Sequence, residues 1–154
     1  MGNSASKSNF RESVYALNSG TISSSDTTFW NKLFSTKTSA EEIFTLIQAN
    51  DVRVLRQSQP ENLKTLIQQA VFQLQQIVST PYLKYYTQAL NAVRLLTRIL
   101  PCVLEIQDDW LDMVFWGMEQ EKDEEKNEKN EKEAPLGQRL IQTIMGLLFL
   151  VRRV

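Results

Sequence analysis

The residues with a defined chemistry stand at the front of the chain. It opens MGNSASKSNF, which fits the pattern M-G-x-x-x-[ST]. Once Met1 is removed, Gly2 presents an α-amine that N-myristoyltransferase joins to a fatty acid. Ser6 supplies the hydroxyl position of the motif, and Asn3 and Lys7 suit the same enzyme. The stretch is too polar for a secretory signal, which needs an apolar run of about 7–15 residues. Left unmodified, it is a polar tail with little to pack. A single myristoyl chain binds membrane reversibly, with an association constant of about 10⁴ M⁻¹. Lys7 and Arg11 add roughly 1 kcal/mol each at an anionic surface, a weak contribution well short of a polybasic cluster. Stable attachment therefore calls for a second signal, expected from a protein partner or from additional chain not present here. Cys102 is a poor palmitoylation site, because it sits beside Pro101 at the end of a predicted core helix.

Few other residues offer chemistry. The chain has no histidine, which removes the commonest general base, the commonest metal ligand and every Ser/His or Cys/His nucleophile. It has one cysteine, so no internal disulfide forms, as suits a cytosolic protein. There is no P-loop, no G-x-G-x-x-G and no C-x-x-C. The run EQEKDEEKNEKNEKE (119–133) holds eight acids and four lysines, but lacks the spacing and the turn glycine of a calcium loop. It reads as a solvated, disordered linker. Net charge is −1, too small for a field that would gather nucleic acid. Trp30, Trp110 and Trp116 read as core residues rather than a binding groove. Arg94 and Arg98, one turn apart, read as an exposed flank that could meet an acidic partner. These features predict no enzyme, no cofactor, no metal and no small-molecule substrate.

The elements that carry these residues are helical by period. Residues 9–18 form a short amphipathic helix with Phe10, Val14 and Leu17 on one face. Asp26 caps a helix bearing Phe29, Trp30, Leu33 and Phe34. Ser39 and Glu42 form an S-x-x-E capping box before Ile43, Phe44, Leu46 and Ile47, and a short turn follows around Val52 and Leu55. Pro60 opens a long helix with a stripe from Leu63 to Val78, its glutamines on the other faces. A second long helix is expected from Tyr82 to Leu100, with Tyr86, Ala89, Leu90, Val93, Leu96, Thr97 and Leu100 aligned and Pro101 kinking or ending it. Residues 108–118 form a further helix with Trp110 and Val114 inward. After Pro135, Leu136, Leu140, Ile144 and Leu148 form a last stripe.

Short helices are marginal alone in water, so these stripes must bury against one another. The fold class is all-α: an irregular helical bundle or the start of an α-solenoid. Its parts are a flexible N-terminus (1–8), a helical region (9–118), the charged linker (119–133) and a C-terminal helix (134–154). No apolar run is long enough to span a bilayer.

Several segments occur in a telling order: the MG start, NF at 9–10, FW at 29–30, NAVRLLTRILPCVLE at 91–105, FW at 115–116, the acidic insertion, and APLGQRLIQTIMGLLF at 134–149. In this order the chain resembles the amino-terminal part of the high-temperature-induced dauer-formation protein family, which is related to dymeclin. RLLTRILP (94–101) is the most specific piece. The resemblance implies a largely helical, N-myristoylated peripheral protein of the Golgi and trans-Golgi network. It would act in secretory trafficking and dense-core vesicle formation, with protein partners of the secretory pathway and no catalytic activity. Gly2 is the one functional position carried over. LVRRV (150–154) does not resemble the family's continuation, as expected of a truncated splice form, a fragment or an incomplete gene model. The competing expectations are a soluble helical adaptor that works by protein contacts alone and a truncated product without function.

Overall fold

The computed structural model describes residues 3–118 and 134–152. Every regular element among them is helical: α1 (Asn3–Ser19), α2 (Thr27–Ser35), α3 (Ala40–Leu46), α4 (Ala49–Ser58), α5 (Pro60–Ser79), α6 (Tyr86–Leu104) and α7 (Leu136–Arg152). A 3₁₀ turn (Leu83–Tyr85) precedes α6, and a π-helical segment (Trp110–Phe115) follows it. Gly2 and the charged run expected as a linker at 119–133 lie outside the described residues.

Local chemistry sets most helix starts. Asp26 accepts the Phe29 N–H at 3.1 Å and so caps α2. Ser39 and Glu42 close the expected capping box reciprocally, at 3.1 and 3.2 Å. Pro60 takes the first turn of α5, where its missing N–H costs nothing. α1 starts at Asn3, so residues 3–8, expected as part of a flexible tail, are helical. The turn expected around Val52 and Leu55 is α4, a helix of ten residues. The Asp51 carboxylate accepts the Gln48 N–H at 2.8 Å at its start, a cap with aspartate in the glutamate position.

α5 and α6 are the spine of the bundle, packed antiparallel with the other helices around them. Leu63, Leu66, Ile67, Ala70, Val71 and Leu74 of α5 are buried against Ala92, Leu95, Leu96 and Ile99 of α6. Each such aliphatic side chain contributes on the order of 1.5–3 kcal/mol before ordering entropy is subtracted. Gln73 is buried too, against the expectation that the glutamines of α5 face outward.

α6 differs from its expected form in three ways. It starts at Tyr86 rather than Tyr82. It runs on through Pro101, because Ile99, Cys102 and Val103 are buried on both sides of the proline and hold the last turn in place. Its inward stripe holds Ala89 and Leu96 as expected but extends to one side: Tyr86, Val93 and Thr97 are exposed, while Asn91, Ala92 and Leu95 are buried. The cause is polar. Asn91 Nδ2 donates to the carbonyls of Phe34 and Thr36 at 2.6 and 2.7 Å, closing the end of α2. Asn62 on α5 does the same for α1, donating to Leu17 and Gly20 at 2.8 and 2.6 Å and accepting the Ile22 N–H at 2.8 Å. Helix ends carry carbonyls without intrahelical partners, and these two asparagines satisfy them from inside the core.

In the segment after α6, Leu111 and Phe115 are the buried pair, not Trp110 and Val114. The Trp116 N–H reaches back five residues to the Leu111 carbonyl at 3.0 Å, so this segment is wound wider than an α-helix. α7 lies along α5 in the same direction. A Cβ at Gly137 would stand 2.6 Å from Trp116 ring atoms, so the glycine lets α7 approach closely there, and one at Gly146 would stand 3.1 Å from Val78, a tight contact. Leu136, Leu140 and Thr143 are buried with Leu147 half-buried, whereas Ile144 and Leu148 of the expected stripe are exposed.

Candidate functional site

Of the residues singled out for attachment to a surface, Gly2 lies outside the described residues. Lys7 and Arg11 both fall within α1, four residues apart. Arg11 is exposed and borders a hollow with Ser39, Glu42 and Thr45. Cys102 is a buried free thiol, out of reach of an acyl donor at a membrane surface.

The two arginines read as an exposed flank act inside the body instead. Arg94 Nη1 donates to the Thr38 carbonyl at 2.6 Å. Arg98 Nε donates to the carbonyl of Ile47, the residue that ends α3, and its guanidinium lies 5.0 Å from the centre of the Phe44 ring. Two more arginines join α4 to the segment after α6. Arg53 forms a forked pair with Glu105, with Nη2 3.0 Å from Oε2. That contact raises the pKa of Arg53, and the hydrogen bond from Arg53 lowers that of Glu105. Arg56 is buried. It donates from both terminal nitrogens to Asp108 at 3.0 and 2.8 Å and to the Ile106 carbonyl at 3.0 Å, with its guanidinium 5.2 Å from the Trp110 ring centre. The Asp108 carboxyl is held below its ordinary pKa, first by the Leu111 N–H it accepts and then by Arg56. Sequence periodicity could not find this cluster, because its partners lie about fifty residues apart.

The tryptophans divide. Trp30 is buried with its indole N–H on the Ser23 carbonyl at 2.9 Å. Trp110 is half-buried against Arg56. Trp116 is exposed, contrary to expectation, edge-on to Phe115. Among the described residues no three histidine, cysteine, aspartate or glutamate side chains group as metal ligands, and no helix is long and apolar enough to cross a membrane.

Two exposed apolar regions went unread in the sequence or were read only in part. One is a groove between α5, α6 and α7, floored by Leu74, Leu96 and Leu100 and rimmed by Val93, Ile144 and Leu148. The exposed α7 face here extends to Phe149 and Val151. The other is the turn between α5 and α6, where Tyr82, Leu83 and Tyr86 face solvent. Its only sequence signal is a run of three tyrosines and a leucine directly after Pro81.

A family model described as Hid1, high-temperature-induced dauer-formation protein, matches residues 1–152. Protein HID1 of Mus musculus and Protein HID1 of Homo sapiens are each 35% identical to the chain over 156 residues, covering 97% of it and 20% of their own length. A Hid-1 family protein of Schizosaccharomyces pombe is 29% identical over 160 residues, 98% of the chain and 19% of its own length. The chain thus spans about one-fifth of the length of the curated relatives it matches. No solved structure matches it.

Proposed function

As the chain belongs to the Hid1 family of high-temperature-induced dauer-formation proteins, we propose that it is a non-enzymatic, N-myristoylated peripheral membrane protein. We place it on the cytoplasmic face of Golgi and trans-Golgi membranes, in exchange with the cytosol, serving secretory trafficking and dense-core vesicle biogenesis. The observation that carries this reading is Gly2 behind Met1 in M-G-x-x-x-S, with Asn3 and Lys7, in a chain that matches the family from residue 1. The weak grip of one myristoyl group accounts for exchange with the cytosol. Lys7 and Arg11, both within α1, bias that end toward anionic lipid.

Expression in eukaryotic cells tests this. The intact protein is expected to carry the mass of one myristoyl group on Gly2, and Gly2→Ala is expected to move the membrane fraction into the cytosol. Unchanged membrane partition of the variant removes the anchor from the account. The groove between α5, α6 and α7 supports a second reading, a soluble helical adaptor that binds protein partners through this apolar surface. That reading expects a first residue without an acyl chain and no response to Gly2→Ala.

A further inference from the structure

Three segments converge on one end of the bundle, whose apex is the turn between α5 and α6. α1 runs antiparallel to α5: its last turn is held at the start of α5 by Asn62, which binds the Leu17 and Gly20 carbonyls. From there α1 climbs. Arg11 shares a hollow with Ser39 and Glu42, and these two share the next hollow with Thr87 and Asn91, at the beginning of α6. At 1.5 Å per residue, Asn3 stands about 12 Å beyond Arg11 along the axis, which carries the start of α1 to the apex end. α7 runs beside α5 in the same direction and passes Val78 at Gly146, so residues 147–152 reach that end as well.

The chemistry of this end differs from the rest of the molecule. Leu83 is 88% exposed, more than any other large hydrophobic side chain among the described residues. Tyr82 and Tyr86 flank it at 61% and 56%, and Phe149 of α7 is 61% exposed. The Lys84 ammonium lies 4.9 Å from the Tyr85 ring centre and 5.9 Å from that of Tyr82. Residues 80–91 and 141–152 contain two basic residues and no acidic one, in a chain with 18 acidic against 17 basic. That charge complements an anionic surface. A tip of a few convex side chains does not provide the roughly 800 Å² per partner of a stable protein interface.

We infer that this end is a membrane-contact tip: Leu83, with Tyr82, Tyr86 and Phe149, enters the interfacial layer of an anionic bilayer. The inference rests on the N-myristoyl reading for bringing the chain to the membrane, and it supplies the second attachment that one acyl chain lacks. The tyrosines suit this depth, with ring bodies at the acyl boundary and hydroxyls among the headgroups. Lys84 keeps its stem on the rings and its charge at the phosphates.

The test uses the full chain, produced with and without N-myristoyltransferase, and vesicles of phosphatidylcholine with phosphatidylserine. The acylated protein is expected to co-sediment with them, and Leu83→Asp to weaken that binding about tenfold or more. Tyr15→Asp, on an exposed α1 position away from the tip, should bind as the parent does. The unmodified chain is expected to bind weakly and in a salt-sensitive way, with Leu83→Asp abolishing what remains. Equal binding by parent and Leu83→Asp, both acylated and both folded by circular dichroism, overturns the tip and leaves the anchor standing. Acylated protein that binds no better than unmodified protein defeats the anchor instead, and the unmodified pair then decides the tip alone. A parent chain that dimerises in solution, with Leu83→Asp monomeric, assigns the end to a second copy and overturns the inference.

Discussion

Replacing Asn62 by aspartate exchanges one amide NH₂ for an oxygen and keeps the side chain's shape. That NH₂ donates to the Leu17 carbonyl at 2.8 Å and to the Gly20 carbonyl at 2.6 Å, on a residue with no exposed surface. Aspartate retains the bond from the Ile22 N–H but sets its second oxygen against two carbonyl oxygens. A buried acceptor left without a donor costs about 1–3 kcal/mol, and an ionised carboxylate without a partner costs more. We expect Asn62→Asp to lose about 3–5 kcal/mol at neutral pH, with α1 loosened from α5. The new carboxyl is desolvated and faces acceptors, so its folded-state pKa rises above its unfolded value. The folded state then binds more protons, and stability falls as pH rises through that raised pKa and recovers as pH falls toward the ordinary aspartate range. A protonated acid donates to one of the two carbonyls, which gives the recovery a structural basis. Asn62→Ala also lacks both donors and costs about 2–4 kcal/mol, but has nothing to protonate. Urea titrations followed by tryptophan fluorescence at mildly acid and neutral pH measure all three proteins. An Asn62→Asp protein within about 1 kcal/mol of the parent, or with the pH dependence of Asn62→Ala, would refute the reasoning.

Asp108→Ala leaves the buried Arg56 guanidinium with the Ile106 carbonyl and the Trp110 face, at a cost of about 2–3 kcal/mol. This is less than for a sealed pair, because Asp108 is 42% exposed and partly screened. Arg56→Met, which removes the charge itself, should cost less, and the reverse order in urea titrations would contradict the account. The folded-state pKa of Asp108 is lowered, so its contribution to stability is present above the unfolded pKa and is lost as pH falls through the lower folded value. Asp108→Asn should therefore flatten the acid limb of a stability–pH curve. Gly137→Ala places a methyl 2.6 Å from Trp116 and 2.9 Å from Phe115, and should destabilise the protein by about 1–3 kcal/mol. Hydrogen exchange should quicken first in α7, and unchanged protection there would show that Trp116 simply swings aside.

Features encoded within four residues were legible in the sequence. The Asp26 cap, the Ser39–Glu42 box and Pro60 at the start of α5 needed only neighbouring residues, and each sits where the spacing put it. Rotation about the helix axis was legible only where apolar residues alone decide it, as in the first half of α5. In α6 Asn91, whose partners Phe34 and Thr36 lie at the end of α2, widens the core face beyond the Ala89 and Leu96 that a count of apolar residues finds. In α7 the small Gly137 and the hydroxyl of Thr143 share the buried face with Leu136 and Leu140, which hydrophobic spacing does not anticipate. The arginines misled for a related reason. Arg94 and Arg98 look solvent-facing in sequence, but their long stems reach carbonyls at the ends of a neighbouring short helix. In the candidate site, the Gly2 motif could be read directly, whereas the exposed apex at Leu83 depends on how α1, α5 and α7 run relative to one another.

Four guanidinium groups, those of Arg53, Arg56, Arg94 and Arg98, fasten α4 and the ends of α3 to the α6 side of the molecule. Arginine stays protonated at any pH a cell reaches, and the two carboxylates paired with it are shifted further from neutrality. None of these joints uses an imidazole, the side chain whose ordinary titration falls between about pH 5 and 8. Mild acidification should therefore leave these joints between α3, α4 and α6 closed.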